Sequence, residues 1–157
     1  MFMSNNDENE IQNLINKAFS DQITILLLKR SNITKIQFET LVIDILTDIL
    51  SNNNVPFKEK ALFRNKKVSR GAFSRTLSQA RSRVISSVFT IILLSYVGVF
   101  EINPFDDFKN LAEKLRDYLN LSTQSKAKLS NLQLKRIEDE LLEGIISLSK
   151  PTSIKNL

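Results

Sequence analysis

Seventeen consecutive residues, Val84 to Phe100, carry no Asp, Glu, Lys or Arg, and the twenty residues before them, Arg64 to Arg83, carry seven Lys and Arg. Wound as a helix, the uncharged run is apolar nearly all round, the pattern of a helix buried at a domain centre or in lipid. The most basic stretch of the chain is therefore continuous with its most apolar one. Gly and Pro number three each in 157 residues, which leaves few turn signals and favours helices over short strands. The fold class expected is mainly α: a compact helical domain with a central buried helix and an amphipathic C-terminal helix.

The remaining periodicities agree. Ile11, Leu14, Ile15, Ala18 and Phe19 recur at helical spacing over residues 8–19, behind Asp7, Glu8 and Glu10, where a helix N-terminus favours negative charge. Residues 23–28, ITILLL, either extend that helix or form a small buried strand; so short a run does not separate the two. Thr34 and Gln37 fit a capping box, and Phe38, Leu41, Val42, Ile45 and Ile49 mark an apolar face through residue 50. SNNNVP, residues 51–56, reads as a loop. Asn103 as cap, Pro104 at the first position and Asp106 and Asp107 in the first turn start another helix, with Phe108, Leu111, Leu115, Tyr118 and Leu119 on its apolar face. LSTQSK reads as a loop, and a last helix over 126–149 projects Leu134, Ile137, Leu141, Ile145 and Leu148 in a narrow stripe. That organisation gives a helical domain over 1–120 and a C-terminal element at 126–149 suited to packing on the parent domain or to homo-oligomerisation.

The chain contains no Cys and no His. This removes zinc fingers, thiol nucleophiles, Ser/His/Asp triads and imidazole bases, so an enzyme is not expected, nor a metal or other cofactor. The absence of disulfides and the polar, acidic start MFMSNNDENE point to a cytoplasmic setting. Asp44 and Asp48, one turn apart with Glu39 nearby, form an incomplete Mg²⁺ ligand set and read as solvated acids on a polar face.

The charge is concentrated. Lys58, Lys60, Arg64, Lys66, Lys67, Arg70, Arg75, Arg81 and Arg83 face a single acid, Glu59, within residues 58–83; this segment carries +8 on a chain of net charge +5. A localised basic field on an otherwise slightly acidic protein suits a polyanion. Placed on a helix, Phe73, Leu77, Ala80, Val84, Val88 and Ile91 gather on one side and Arg75, Thr76, Gln79, Ser82, Arg83 and Ser86 on the other. Arg with small hydroxyls suits phosphate and sugar contacts. Phe57 and Phe63, interleaved with the cations, add stacking platforms for the bases of a single strand.

Two other arrangements fit the same residues. FKEKALFR, NKKV and SRGAFSRTLSQARSR can be divided into a helix-turn-helix of a duplex-binding regulator, although Phe63 and Lys67 fall where that motif wants small residues. A membrane anchor is the other: RSR before the run and Glu101 after it give the right charge asymmetry, but the run is at the lower limit of a span and Ser86, Ser87, Thr90, Ser95 and Gly98 dilute it. A scaffold or membrane-associated protein is thus the alternative from a different class, and no membrane partner is expected.

Residues 70–98, RGAFSRTLSQARSRVISSVFTIILLSYVG, resemble a block in the archaeal ThermoDBP single-stranded DNA-binding proteins and their relatives. The resemblance implies a compact domain that binds single-stranded DNA with little sequence preference through a cleft of apolar and basic side chains, followed by an oligomerising C-terminal helix. The expected nucleic-acid-binding residues are Phe57, Lys58, Lys60, Phe63, Arg64, Lys66, Lys67, Arg70, Arg75, Gln79, Arg81 and Arg83.

Overall fold

A computed structural model describes residues 5–51, 54–99, 104–124 and 129–149. Among the described residues the regular structure is helical: α1 (Asn5–Ser20), α2 (Gln22–Arg30), α3 (Lys35–Ser51), α4 (Phe57–Lys60) running into a 3₁₀ turn (Ala61–Phe63), α5 (Arg70–Tyr96), α6 (Pro104–Gln124) and α7 (Asn131–Ser149). The mainly α class is thus established. The chain divides into two compact units, Met1–Ser86 and Ser87–Leu157, so the division lies within α5.

Residues 23–28 belong to a helix of their own, neither a strand nor a continuation of α1. Asp21 is the reason: in extended conformation it interrupts the helix and its carboxylate accepts hydrogen bonds from the N–H groups of Ile23 and Thr24, at 3.3 and 2.8 Å. An N-cap of this kind satisfies donors that a helix start would otherwise leave orphaned. Ile23 is buried while Ile25 and Leu27 are exposed, so these alternate residues do not share the burial that one face of a buried strand would give them.

The capping box at α3 forms reciprocally, Thr34 N–H donating to Gln37 Oε1 (3.1 Å) and Gln37 N–H to Thr34 Oγ1 (3.3 Å). A second box, Ser130 with Gln133, starts α7 in the same way, at 2.8 and 3.3 Å. Ser69 Oγ accepts from Ala72 N–H at the start of α5. At the start of α6, Asn103 lies outside the described residues, while Asp106 and Asp107 occupy the first turn. Residues 121–124, assigned to a loop by sequence, continue α6.

The core of the first unit joins α1, α3, α4 and the first half of α5. Ile11 and Ile15 of α1, Ile43 of α3, Val55, Ala61, and Phe73 and Leu77 of α5 form one buried cluster, with Phe19, Val42, Leu46, Phe57, Phe63 and Val68 packed around it. The α3 face anticipated from periodicity is partly wrong. Ile45 and Ile49 are exposed, and the buried positions are Gln37, Glu39, Thr40, Ile43, Asp44 and Thr47. Glu39 and Asp44 take the inside because counter-ions meet them there, Gln37 is held by the capping box and Thr47 donates back to the Ile43 carbonyl.

In the second unit α6 and α7 pack together through Leu111, Leu115, Ile137 and Leu141, which line a cleft of about 380 Å³. A Cβ on Gly144 of α7 would meet Leu111 at 3.9 Å, ordinary contact, so the glycine is not required for the approach. The expected stripes are confirmed at Leu115, Ile137 and Leu141, which are buried; Ile145 is exposed, and the side chains of Leu119 and Leu148 lie outside the described ones.

Helix α5 is not buried along its length. Phe73, Leu77 and Ala80 are inside, but from Arg81 to Val97 no residue is fully buried, and Phe89 is 66% and Tyr96 88% exposed. The central buried helix expected over Val84–Phe100 is therefore corrected: burial stops where the first unit's core stops. Among the described residues no helix is long and apolar enough to cross a membrane.

Candidate functional site

The basic segment separates into interior and surface cations. Lys60 ends the single turn of α4 and points inward, 1% exposed, its ammonium 2.7 Å from Asp44 Oδ1 and 2.7 Å from Asp48 Oδ2. It also lies 5.7 Å from the centroid of the Phe57 ring. Arg64, just past the 3₁₀ turn, is buried too: its Nη1 donates to Thr40 Oγ1 (2.6 Å), and its Nε lies 3.0 Å from Glu39 Oε2. That Nε–H is not aimed at an acceptor, so its attraction to Glu39 is coulombic and not a hydrogen bond. The other Glu39 oxygen accepts from Asn65 N–H at 2.8 Å, which pins the chain leaving the turn.

Lys60 and Arg64 are thus corrected from surface contacts to internal counter-ions. Burial of a charge is tolerated only with a paired, hydrogen-bonded partner. The α3 acids supply those partners, which equally corrects their reading as solvated acids: Glu39 and Asp44 are buried and committed to cations. Among the described residues no cluster of acids is arranged to hold a metal ion.

Arg81 joins the network from outside. Its Nη2 is 2.6 Å from Asp44 Oδ2, yet the side chain is 56% exposed. Asp44 therefore fixes the guanidinium from beneath and leaves its outer edge toward solvent. Arg83, two residues on, donates to the backbone carbonyl of Asn32 and remains exposed. Lys58, Lys66, Lys67, Arg70, Arg75 and Gln79 are exposed or half-exposed at the surface, as expected.

The aromatic residues are less available than the sequence suggests. Phe57 and Phe63 are both half-buried against the core, and Phe57 packs on Phe73 with ring centroids 6.0 Å apart. Phe57 nevertheless borders a groove of about 420 Å³ together with Ser74, Leu77, Ser78, Arg81, Ser82, Ile85 and Ser86. Ser74, Ser78, Ser82 and Ser86 recur every fourth residue and so form a ladder of hydroxyls along one side of α5. The site expectations omitted Ser74 and Ser78, although the four-residue spacing was there to be read. With Leu77 and Ile85 as apolar walls and Arg81 held at the side, the groove offers one planar cation, one aromatic edge and several small donors. Such a set can hold a phosphate and an adjacent flat apolar group.

No protein-family profile, no curated protein and no solved structure matches this chain.

Proposed function

We propose that this protein binds nucleic acid without catalysis, single-stranded DNA by preference and with little regard to sequence, along the exposed side of α5. The observation that carries the reading is the groove in which the Asp44-held Arg81, the Ser74 to Ser86 ladder and the edge of Phe57 converge. Lys58, Lys66, Lys67, Arg70, Arg75 and Arg83 supply further exposed positive charge from the same stretch of chain. Phosphates neutralise these cations, and a base rests against Phe57 and Ile85. The order-of-magnitude gain from stacking one base is about 1–3 kcal/mol, less at a half-buried ring such as Phe57 than on an open platform. Binding is a cytoplasmic activity in this reading, and the resemblance of residues 70–98 to ThermoDBP proteins points the same way.

The test is fluorescence anisotropy of a labelled oligonucleotide, alone and then annealed to its complement, titrated at several salt concentrations. Tighter binding to the single strand is expected, with log affinity falling linearly in log salt. Arg75→Glu and Arg83→Glu should each weaken it and flatten the slope by about 0.7 for every single-strand phosphate no longer neutralised. An unchanged affinity and slope in both variants rejects this side of α5. Preference for one duplex over random DNA makes the protein a sequence-reading regulator instead, while no binding to either form rejects nucleic acid as the ligand.

A further inference from the structure

Helix α5 changes character along one exposed side. At roughly 100° per residue, Ser74, Ser78, Ser82 and Arg75 lie on the same side as Ile85, Phe89, Ile92, Leu93 and Tyr96, which follow them. The opposite side is the one already covered: Phe73, Leu77 and Ala80 are buried, and Ile91 and Leu94 continue that line half-buried. The second half of the exposed side is therefore a distinct apolar face. Its centre, Ile85, Phe89, Ile92 and Tyr96, has the 4-3-4 spacing of a helix-pairing seam.

We infer that this face is a self-association surface, on which α5 of a second copy packs antiparallel. Three observations select that occupant. The five side chains of this face between Ile85 and Tyr96 are 46–88% exposed, roughly 600 Å² of mostly apolar accessible surface, of the same order as the ~800 Å² per partner of a standard stable interface. No charged residue occurs between Val84 and Phe100, so the face asks nothing of a charged partner, whereas a copy of itself matches it in chemistry and length. The third observation sets the direction. Arg75, Arg81 and Arg83 occupy the first half of the same helix; parallel pairing would bring both sets together, and antiparallel pairing keeps them at opposite ends.

In an isologous antiparallel pair, Ile85 faces the copy's Tyr96 and Phe89 the copy's Ile92. The hydroxyl and arginine halves then extend outward from the two ends of a shared apolar centre. Ile85 borders the groove of the nucleic-acid reading as well, but this inference is carried by Phe89, Ile92 and Tyr96 and stands without that reading; it also differs from oligomerisation through the C-terminal helix.

The chain contains no cysteine, so engineered thiols report without background. Light scattering should give the wild type about twice its 18.0 kDa mass at tens of micromolar, and Phe89→Glu and Ile92→Lys should return it to a single chain with unchanged helical circular dichroism. On oxidation, Ile85→Cys alone should stay uncrosslinked, while an equimolar mixture of Ile85→Cys and Tyr96→Cys should form a disulfide-linked dimer. A monomeric wild type overturns the inference. So does a dimer that survives both charge substitutions, or self-crosslinking of Ile85→Cys, the mark of parallel pairing. If the charged variants fail to fold, the crosslinking pattern of the cysteine variants decides.

Discussion

Replacing Lys60 by Met isolates the energetic role of the interior cations. The substitution keeps the unbranched apolar stem but deletes an ammonium that is 1% exposed and touches two carboxylates at 2.7 Å. The two acids then fare differently. Asp48 is 40% exposed on its side chain and still accepts from Val55 N–H at 3.1 Å, so water can take the place of the ammonium. Asp44 is only 6% exposed, and its Oδ1 is left without the lysine while Oδ2 keeps Arg81. Breaking a buried pair outright costs about 3–5 kcal/mol and leaving one buried polar atom unsatisfied about 1–3. With Arg81 still in place, the cost should lie near the overlap, about 3 kcal/mol. Changing Asp44 to Leu in the same chain removes the orphaned charge and lets Arg81 turn to solvent, so the double variant should stand about 2 kcal/mol above Lys60→Met alone. Urea denaturation followed by helical circular dichroism measures four proteins, wild type, Lys60→Met, Asp44→Leu and the double variant, the shift in midpoint at constant slope giving the stability change. A decrease under about 1 kcal/mol in Lys60→Met, with simple additivity in the double variant, would refute the buried network.

The same contrast extends to binding: Lys58→Met should weaken single-strand affinity and leave urea stability within about 0.5 kcal/mol, while Lys60→Met should do the reverse in the folded fraction. Leu77→Ala, in the core of the first unit, should cost about 2–5 kcal/mol, and Ile49→Ala, at a position 62% exposed, less than about 0.5, as read from denaturation midpoints. Thr34→Ala removes one half of the α3 capping box and should lower stability by about 1 kcal/mol in the same assay. Gly98 follows α5 with φ of 76°; Gly98→Ala should destabilise by about 1 kcal/mol or more through backbone strain alone, since nothing crowds the site, and the effect should show in the thermal midpoint.

What the sequence disclosed was local in origin. Capping depends on residues three apart, so the Thr34 and Gln37 pair was legible, and the Phe73, Leu77, Ala80 stripe followed from helical spacing alone. The face of α3 was not. Periodicity assumes that apolar side chains turn inward, and here Thr40, Asp44 and Thr47 are buried instead because Lys60 and Arg64, further along the chain, arrive to satisfy two of them. Thr47 needs no such partner: its hydroxyl donates back to the Ile43 carbonyl at 2.7 Å. A pairing between distant segments leaves no period in either one. For the same reason, the run of cations in one stretch held no sign that Lys60 and Arg64 serve the interior.

The division of those cations also bears on how a groove could be built beside them. Surface arginines are mobile, and fixing one beside a ligand costs side-chain entropy at the moment of binding. Arg81 is fixed beforehand, because Asp44 lies beneath it and is itself immobilised by Lys60. The internal ion pair therefore does more than fill space under α5: it sets the position of the guanidinium that lines the groove beside the serine ladder. A phosphate approaching from solvent meets that outer edge while Asp44 holds the inner one, so removing the Asp44 charge should raise the mobility of Arg81 and weaken binding even though a negative charge has been taken away. Simple electrostatics predicts the opposite sign. Anisotropy titration of Asp44→Asn against wild type, both checked for folding by circular dichroism, separates the two: a weaker complex supports a positioned arginine, and a tighter one shows that Asp44 acts on the ligand only as a repelling charge.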